Sequence, residues 1–332
     1  MLSRSVRCLL AAALLAALAG CGSGNSGHGS AQRQEGQRGA GFPTSVTGKF
    51  GTTTVASRPV RVVAMSWMDA DFALSLGVKP VGMARTPDSA TGINPWTASA
   101  LGDTKPALFT VLGADPMEQV AALRPDVILA TKDYNLASSY PDLSQLAPVV
   151  TYVAGPNSDP WQQDFGNVAT ALGLADRGKA VVADIETRIA QAKAGHPELA
   201  GKTFSYVISP KASGLYTVNS NQDVSARLLS QLGLVLNPKL LGLPPSGLPG
   251  RSEIGAENFG MLDADLVLAV GTPAQVTDFA HNPVVSRLPS VRRGALVSWD
   301  YTTASALGFP STLSLPWALD NLLPELVSAA RA

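Results

Sequence analysis

Aromatic and cationic side chains recur in this sequence directly after short apolar runs. Trp67 follows the run at 61–65, and Lys132 and Tyr134 follow the run at 127–130. Indole and phenol rings pack on apolar ligand surfaces, and Lys or Arg side chains donate hydrogen bonds to anionic oxygens. We therefore predict a binding site for a ligand that has both apolar faces and partly negative oxygen atoms.

The candidate binding residues lie after predicted strands or in stretches rich in Gly, Pro and Ser. They are Trp67, Arg85, Trp96, Lys132, Tyr134, Tyr216, Arg251, Trp299 and Tyr301. Trp299 and Tyr301 are two positions apart and would face the same side of an extended chain. Each candidate also has a plainer interpretation. A Trp after a strand can pack in the core, Arg251 could pair with Glu253, and most Lys and Arg side chains are simply solvated.

Short apolar runs alternate with helical patterns along most of the chain. The predicted strands are residues 61–65, 80–84, 127–130, 149–153, 204–208, 266–270 and 295–299. The predicted helices include residues 69–76, 117–123, 224–232, 257–262 and 313–323. This alternation predicts an α/β fold with parallel sheets covered by helices on both faces. A ligand is then expected outside the carboxyl ends of the strands.

One sequence pattern, here called the repeated phrase, occurs twice in the chain, and its two copies align without a gap. Residues 118–130 read EQVAALRPDVILA, and residues 257–269 read ENFGMLDADLVLA. In each copy a short helix is predicted to begin at the Glu and to lead into a buried strand. We interpret the repeat as the signature of two similar α/β lobes, although two common helix–strand units could also resemble each other by chance.

A long helical pattern joins the two halves. Residues 161–172 form one predicted helix that ends at Gly173, and Asp176 begins a second that runs to about Ala194 with an apolar stripe along one side. A helix of that length is roughly 29 Å long, so we expect the lobes to move little relative to each other. The predicted domains are a first lobe at 44–172, a linker helix at 173–197 and a second lobe at 198–332.

The N-terminal segment has the pattern of an export signal. Residues 9–19 are apolar but too short for a membrane-spanning helix, which needs roughly 20 residues. The residues Leu-Ala-Gly-Cys that end at Cys21 resemble the lipobox of bacterial lipoproteins. That resemblance implies a cleaved signal peptide at 1–20 and acyl chains on Cys21 that hold the protein on the outer face of the cytoplasmic membrane. An ordinary secretory signal with a chance Cys is the alternative. The segment 21–43 is predicted to be the lipidated Cys and a disordered tether.

Composition argues against several classes of function. The chain has 25 basic and 25 acidic residues and no recognisable nucleic-acid-binding motif, so no nucleic-acid partner is predicted. Only Cys8 and Cys21 occur, and Cys8 lies in the predicted signal peptide, which excludes a disulfide or a cysteine metal site in the mature chain. The 3 histidines form no pair with metal-ligand spacing. We predict no metal site and no resident cofactor.

The apolar phrases, in their order and spacing, resemble those of a known family. They read RPVRVVAM, ALSLGVKPVGMA, MEQVAALRPDVILA, LSQLAPVV, LLSQLGL and ENFGMLDADLVLA, and the C-terminal part reads SALGFPSTLSLPWALDNLLPEL. Over essentially the whole mature chain the resemblance is to the iron–siderophore-binding lipoproteins of bacterial ABC importers, a family that also contains the vitamin B12-binding protein. It implies two three-layer α/β lobes with central parallel sheets, one long linker helix, a ligand cleft between the lobes, a monomeric chain and no catalysis.

The ligand implied by this resemblance is a ferric siderophore. Its own oxygens fill the coordination sphere of the iron, so the protein has to supply aromatic faces and Arg or Lys donors rather than metal ligands. Haem and cobalamin stay open as alternatives, because flat macrocycles also stack on Trp and Tyr, and Tyr134 or Tyr301 could ligate haem iron. An exported hydrolase is a further alternative, although the sequence has no GxSxG nucleophile motif. The siderophore class (hydroxamate, catecholate or carboxylate) is left open.

The two glutamates that begin the repeated phrase carry a separate prediction. Glu118 and Glu257 each lie in the first turn of a predicted helix, where the helix dipole favours an acid, so helix capping is one explanation. The resemblance implies another, since the matching glutamates of the family are taken to meet an arginine on each subunit of a dimeric membrane permease. We therefore predict that Glu118 and Glu257 dock the protein on its transporter.

Overall fold

The computed structural model describes residues 41–248 and 250–332. The predicted signal peptide, Cys21 and the tether up to residue 40 lie outside the described residues. Residues 41–43, which we predicted to be the end of the tether, belong instead to the folded part, because the Phe42 ring packs on the core of the first lobe. A Cβ atom at Gly173 would collide with that ring. The φ angle of Gly173 is +70°, so glycine is required there for both reasons.

The first lobe contains an antiparallel hairpin and a five-stranded parallel sheet. The strands are β1 (Thr44–Gly48), β2 (Gly51–Val55), β3 (Val62–Ala64), β4 (Gly82–Ala84), β5 (Ala107–Phe109), β6 (Val127–Ala130) and β7 (Val149–Thr151). Strands β1 and β2 form the hairpin. The sheet has the order β5-β4-β3-β6-β7 with all pairs parallel. Its central strands β3 and β6 are fully buried, which explains why they read as unbroken apolar runs.

Helices of the first lobe begin at the carboxyl ends of these strands or in the loops beyond. They are α1 (Trp67–Ser75), α2 (Pro95–Leu101), α3 (Met117–Ala122), α4 (Leu136–Leu146) and α5 (Trp161–Ala171). Helix α1 starts two residues earlier than predicted, because the Ser66 side chain caps it by accepting a hydrogen bond from the Asp69 backbone N–H. The predicted helix end before Gly173 is found.

The second lobe contains a six-stranded mixed sheet. Its strands are β8 (Thr203–Lys211), β9 (Gly214–Val218), β10 (Val235–Leu236), β11 (Arg251–Gly255), β12 (Leu266–Val270) and β13 (Leu296–Trp299). The three predicted strands, β8, β12 and β13, are parallel, as predicted. The short β10 was not predicted and is also parallel, whereas β9 and β11 run antiparallel to their neighbours. The expectation of a purely parallel second sheet was wrong. Only two residues connect β8 to β9, and so short a connection can join only antiparallel strands.

The helices of the second lobe follow the same alternation with two departures. They are α7 (Val224–Gln231), α8 (Pro273–His281), α9 (Pro289–Arg292), α10 (Tyr301–Gly308), α11 (Ser314–Asn321) and α12 (Leu323–Arg331). The helix predicted over 313–323 ends at Asn321, because Pro324 lacks the N–H needed to continue it. The second copy of the repeated phrase begins with a 3₁₀ helix, Ala256–Leu262, whereas the first copy has the predicted α-helix, α3. The 3₁₀ helix contains Gly260, which disfavours a regular helix.

The repeated phrase has a structural role beyond its helix and strand. The Asp126 carboxylate accepts hydrogen bonds from the backbone N–H groups of Val60 and Arg61, at 2.7 and 2.9 Å, just before β3. The Asp265 carboxylate accepts from the backbone N–H and the hydroxyl of Thr203, both at 2.8 Å, where β8 begins. Each repeated Asp therefore connects its own strand to the start of the neighbouring strand. This contact explains why the Asp occupies the same position in both copies.

One long helix, α6 (Ala175–Gly195), connects the two sheets. Its 21 residues span roughly 31 Å. The predicted fold class, two α/β lobes joined by a long helix, is confirmed, with the second sheet corrected to mixed. Among the described residues, no helix is both long and apolar enough to cross a membrane.

The lobes also meet directly, at a buried carboxylate. Asp71 of α1 is fully buried and accepts hydrogen bonds from Trp96 Nε1 at 2.9 Å, from Thr97 Oγ1 at 2.6 Å and from Ser311 Oγ at 2.6 Å. Ser311 comes from the second lobe. Burial raises the pKa of Asp71 to about 7, although the three hydrogen bonds oppose that shift. Next to it, the rings of Trp96 and Trp317 pack with centroids 5.1 Å apart, so the lobes are joined here as well as through α6.

Candidate functional site

A cavity of about 440 Å³ lies at the carboxyl ends of β3, β4, β5 and β6. Its walls come from the four loops that follow these strands. Because the strands are adjacent and parallel, their loops emerge at one edge of the sheet. Four predicted ligand residues line this cavity: Trp67, Arg85, Lys132 and Tyr134. The rest of the lining is largely apolar, and the volume is in the range of small-molecule sites. We call it the strand-end cavity.

Trp67 stands at the wall of the strand-end cavity that lies nearest the second lobe. It is half-buried and makes an edge-to-face contact with Phe309 of the second lobe, with ring centroids 5.6 Å apart and planes at 77°. Its indole Nε1 is buried, and no acceptor in the described part of the chain binds it. An unsatisfied buried N–H is unfavourable, so a ligand oxygen that accepted this hydrogen bond would gain affinity.

Arg85 supplies a cationic group to the same cavity. Its side chain lies across Gly92, close enough that a Cβ atom there would contact the guanidinium at 2.7 Å. Gly92 also has a φ of +76°, in the region that favours glycine. Arg85 is exposed, and no ion pair joins it to any residue that the structure describes. Its guanidinium is therefore positioned and available to an anionic ligand oxygen.

Lys132, by contrast, is committed to a partner within the first lobe. It is only 6% exposed, and its Nζ lies 2.5 Å from Asp164 Oδ2 and donates to the Asp159 carbonyl oxygen at 3.3 Å. Burial raises the pKa of Asp164 to about 7 even though the Lys132 charge opposes the shift. Lys132 therefore has a structural role within the first lobe, and its ligand role stays a prediction.

A second cavity, of about 240 Å³, lies between the lobes and shares Lys132 with the first. We call it the interlobe cavity. Asn157 and Trp161 line it from the first lobe, and Arg227 and Phe309 line it from the second. The Tyr134 hydroxyl donates to Asn157 Oδ1 at 2.5 Å, so Tyr134, which is 54% exposed, stands between the two cavities.

Arg251 pairs with an acid of its own lobe. Its Nε is 3.8 Å from Asp223 Oδ2, and the predicted alternative partner, Glu253, is not the one observed. Burial raises the pKa of the Tyr134 phenol, and the hydrogen bond with Asn157 and the positive charge of Arg251 oppose that shift. The structure therefore places four of the predicted residues at the strand-end cavity, and the ligand role of Arg251 stays a prediction.

The other four candidates line neither cavity: Trp96, Tyr216, Trp299 and Tyr301. Trp96 is buried at the Asp71 interface, and Trp299 is 3% exposed and donates from Nε1 to Glu325 Oε2 at 2.7 Å. Tyr216 lies half-buried on β9, opposite Glu253. The expectation that Trp299 and Tyr301 face one side was wrong, because Asp300 caps α10 by accepting from the Thr303 N–H, so the chain turns into a helix at Tyr301.

Several residues that shape the cleft were missed at the level of sequence. Phe309 follows α10 and gave no periodic signal. Asp133 lines the strand-end cavity and is 2% exposed. Burial and the negative charge of Asp115 raise the pKa of Asp133 to about 8. A carboxyl group next to Lys132 in the sequence could have been noticed, but its partner Asp115 lies in a loop after β5, and only the fold brings the two together.

Comparison with known proteins agrees with this architecture. Residues 62–302 match the model of the periplasmic binding protein family. The chain belongs to that family. The predicted family resemblance is thereby confirmed, and the members to which this chain is similar are binding proteins.

Two relatives are named for iron complexes or siderophores. The ferric enterobactin-binding periplasmic protein FepB of Escherichia coli O6:H1 is 26% identical over 269 residues, which cover 76% of this chain and 82% of FepB. The "Probable siderophore-binding lipoprotein YfiY" of Bacillus subtilis is 30% identical over 181 residues, or 54% of this chain. The alignment spans about half of YfiY, 53% of its length.

Two solved structures have the same fold over nearly their whole length. A periplasmic solute binding protein of Mycobacterium smegmatis superposes with a TM-score of 0.76 at 25% identity, covering 87% of this chain and 99% of that one. PiaA of Streptococcus pneumoniae TIGR4, in complex with ferrichrome, superposes with a TM-score of 0.71 at 26% identity and the same coverage.

The Lys132–Asp164 pair gives the first prediction. Lys132→Met should lower the free energy of unfolding by roughly 3–5 kcal/mol at pH 8, because it leaves a buried carboxylate without its counter-charge. The loss should shrink at pH 5, where Asp164, whose pKa is raised to about 7, is protonated and neutral. Urea unfolding at both pH values measures this, and Lys132→Met combined with Asp164→Leu should recover most of the stability at pH 8. An equal loss at both pH values would contradict the assignment.

Proposed function

We propose that this chain is an extracytoplasmic solute-binding protein that captures a ferric siderophore in its cleft and delivers it to an ABC importer. The observation that carries the proposal is the strand-end cavity, where an unpaired indole N–H and an exposed guanidinium lie among apolar walls. A ferric siderophore presents iron-bound oxygens as hydrogen-bond acceptors and an organic scaffold as apolar surface. The cavity offers a complementary group to each.

The family and the names of its members support this ligand over the alternatives. FepB is named for ferric enterobactin, and the PiaA structure contains ferrichrome. Tyr301, one of the two candidate haem ligands, lines neither cavity, and its hydroxyl is hydrogen-bonded to Ser209 and Gln275 at 2.6 and 3.1 Å.

Tryptophan fluorescence tests the proposed ligand. The full chain in detergent is titrated with ferrichrome, ferrioxamine B, ferric enterobactin, haemin and cobalamin. We expect at least one ferric siderophore to quench the emission at sub-micromolar concentration. Trp67→Phe should lose a larger share of the quench than Trp299→Phe, because Trp67 lines the cavity and Trp299 is in the core of the second lobe. Saturation by haemin or cobalamin alone would favour those ligands, and no response to any compound would contradict the proposal.

Transporter docking through Glu118 and Glu257 is a further part of the proposal. Both side chains are exposed. Glu118 is in the first turn of α3, and Glu257 is in the first turn of the 3₁₀ helix of the second lobe. The Glu257 carboxylate lies over Gly255, where a Cβ atom would collide with it. One exposed acid at the same place in each repeated unit suits a partner that has two equivalent cationic sites.

The docking proposal predicts that ligand binding and transport can be separated. Glu118→Ala with Glu257→Ala should leave ligand affinity unchanged and abolish siderophore uptake in cells, with each single variant in between. Exposed ion pairs are individually weak, at about 0–1 kcal/mol, but two pairs and the steering they provide act together on a weak complex. The control is Asp142→Ala with Asp278→Ala, which removes one exposed acid from each lobe outside the repeated units. This variant should support normal siderophore uptake. Normal siderophore uptake by the Glu118/Glu257 double variant would contradict the docking role.

We also propose that Cys21 is lipidated and anchors the protein outside the cytoplasmic membrane. Two acyl chains anchor a protein stably where one is marginal. Cys21→Ser should therefore move the protein from the membrane fraction to the soluble fraction and leave ligand affinity unchanged. Cys8→Ser is the matched control and should stay in the membrane fraction. Incorporation of radiolabelled palmitate into the Cys21→Ser variant at the wild-type level would count against the anchor.

A further inference from the structure

The charges of the cleft indicate which class of ferric siderophore it binds. This inference rests on the proposed function. Three cationic side chains line the two cavities: Arg85, Lys132 and Arg227. Lys132 Nζ is paired with Asp164 Oδ2 at 2.5 Å. Among the residues that the structure describes, Arg85 and Arg227 are the lining cations without an ion-pair partner. Arg227 lines only the interlobe cavity, so the strand-end cavity holds one free guanidinium.

A negative charge also lies beside the strand-end cavity. The Asp133 Oδ1 accepts from the Asn135 backbone N–H at 2.8 Å, and Asn135 Nδ2 donates to Asp115 Oδ1 at 3.1 Å. Asn135, which lines the cavity, thus connects the two carboxyl groups. Burial and the negative charge of Asp115 raise the pKa of Asp133 to about 8, so Asp133 keeps its proton at neutral pH. We call Asp133 and Asp115 the acid pair.

The acid pair and Arg85 give the strand-end cavity almost no net charge. Arg251 of the second lobe does not change this balance much, because Asp223 Oδ2 is 3.8 Å from its Nε. Two hydrogen-bond donors remain for a ligand, the Arg85 guanidinium and Trp67 Nε1. The rim is apolar and exposed at Leu112, which is 84% accessible to solvent.

The siderophore classes differ in the charge of their iron core. Each hydroxamate group carries one negative charge, so three of them neutralise Fe³⁺. Each catecholate carries two, so a tricatecholate complex is triply anionic. Relatives at similar identity include both classes, since FepB is named for ferric enterobactin and PiaA is seen with ferrichrome. The discrimination therefore has to come from the charges of this chain.

We infer that the cleft selects ferric complexes with an uncharged or weakly charged iron core, the trihydroxamate class, over triply anionic tricatecholates. Arg85 and Trp67 donate hydrogen bonds to two of the iron-bound oxygens, and the apolar walls take the scaffold. One free guanidinium matches the partial negative charge on such oxygens. A tricatecholate would bring three charges to that single cation and place them beside the acid pair, where like charges oppose binding.

A comparison of two probes tests the selection directly. The full chain in detergent is titrated at pH 7 with ferrichrome, an uncharged trihydroxamate, and with ferric enterobactin, a triply anionic tricatecholate. We expect ferrichrome to bind more tightly by roughly tenfold or more. Equal or tighter binding of ferric enterobactin would overturn the inference and leave the proposed function standing. If neither probe, nor ferrioxamine B, nor ferric citrate binds, the proposed function itself is wrong.

Salt dependence of the wild-type protein gives a test that needs no variant. Charge attraction is screened as the salt concentration rises from ~20 to ~500 mM. The affinity for ferrichrome should change less than about twofold over this range. Any weak binding of ferric enterobactin should stay constant or strengthen, because repulsion from the acid pair is screened. A steep weakening with salt would mean that the cleft attracts anions, which contradicts the inference.

Removal of the acid pair tests its contribution. Asp115→Asn with Asp133→Asn is nearly isosteric and removes the negative charge. It should raise the affinity for ferric enterobactin several-fold relative to the affinity for ferrichrome, because the negative charge beside the triply anionic iron core is removed. Asp142→Asn with Asp278→Asn removes two exposed acids that line neither cavity and should change neither affinity. A thermal melt checks that the variant folds, and if it does not, the salt series on the wild type decides. No gain for ferric enterobactin in a folded variant would refute the role of the acid pair.

Discussion

The Asp71 carboxylate, fully buried between the lobes, receives hydrogen bonds from Trp96, Thr97 and Ser311. A carboxylate removed from water is unfavourable unless its lone pairs are used, so these donors have to stay in place for the interface to hold. Ser311 belongs to the segment that carries Phe309, and Phe309 meets Trp67 at the edge of the strand-end cavity. The shape of the cleft therefore depends on this interface together with the linker helix. An interface held by several buried groups favours a fixed arrangement of the lobes over a wide hinge motion.

Cations in this protein serve two purposes that look alike in the sequence. Lys132 follows β6 and is held by Asp164, so its charge is used to satisfy a buried acid. Arg85 follows β4 and lies exposed across Gly92, with its guanidinium available. The difference is whether an acid from elsewhere in the chain approaches the cation. In a site with few cations, that difference sets the net charge offered to a ligand.

The two lobes share a helix–strand unit but contribute unequally to the cleft. The parallel sheet of the first lobe sends four adjacent loops to one edge and forms the strand-end cavity. In the second lobe, the β8–β9 hairpin replaces a crossover helix, and the sheet is mixed. That lobe contributes Phe309 and Arg227 to the interlobe cavity. The repeat thus predicts the architecture of two lobes, whereas the ligand contacts depend on features in which the lobes differ.

The sequence by itself determined the α/β class, the long connecting helix and the family, and its nine ligand candidates included the four that line the strand-end cavity. It could do so because apolar periodicity reports burial within one element at a time, and parallel strands carry their following residues to a common edge. Tertiary structure alone decided that Trp96 and Trp299 are buried against Asp71 and Glu325. It also decided that Phe309 meets Trp67 and that Asp115 stands beside Asp133. Those partners lie in different loops, helices or lobes, and a through-space distance between such residues leaves no period in the sequence.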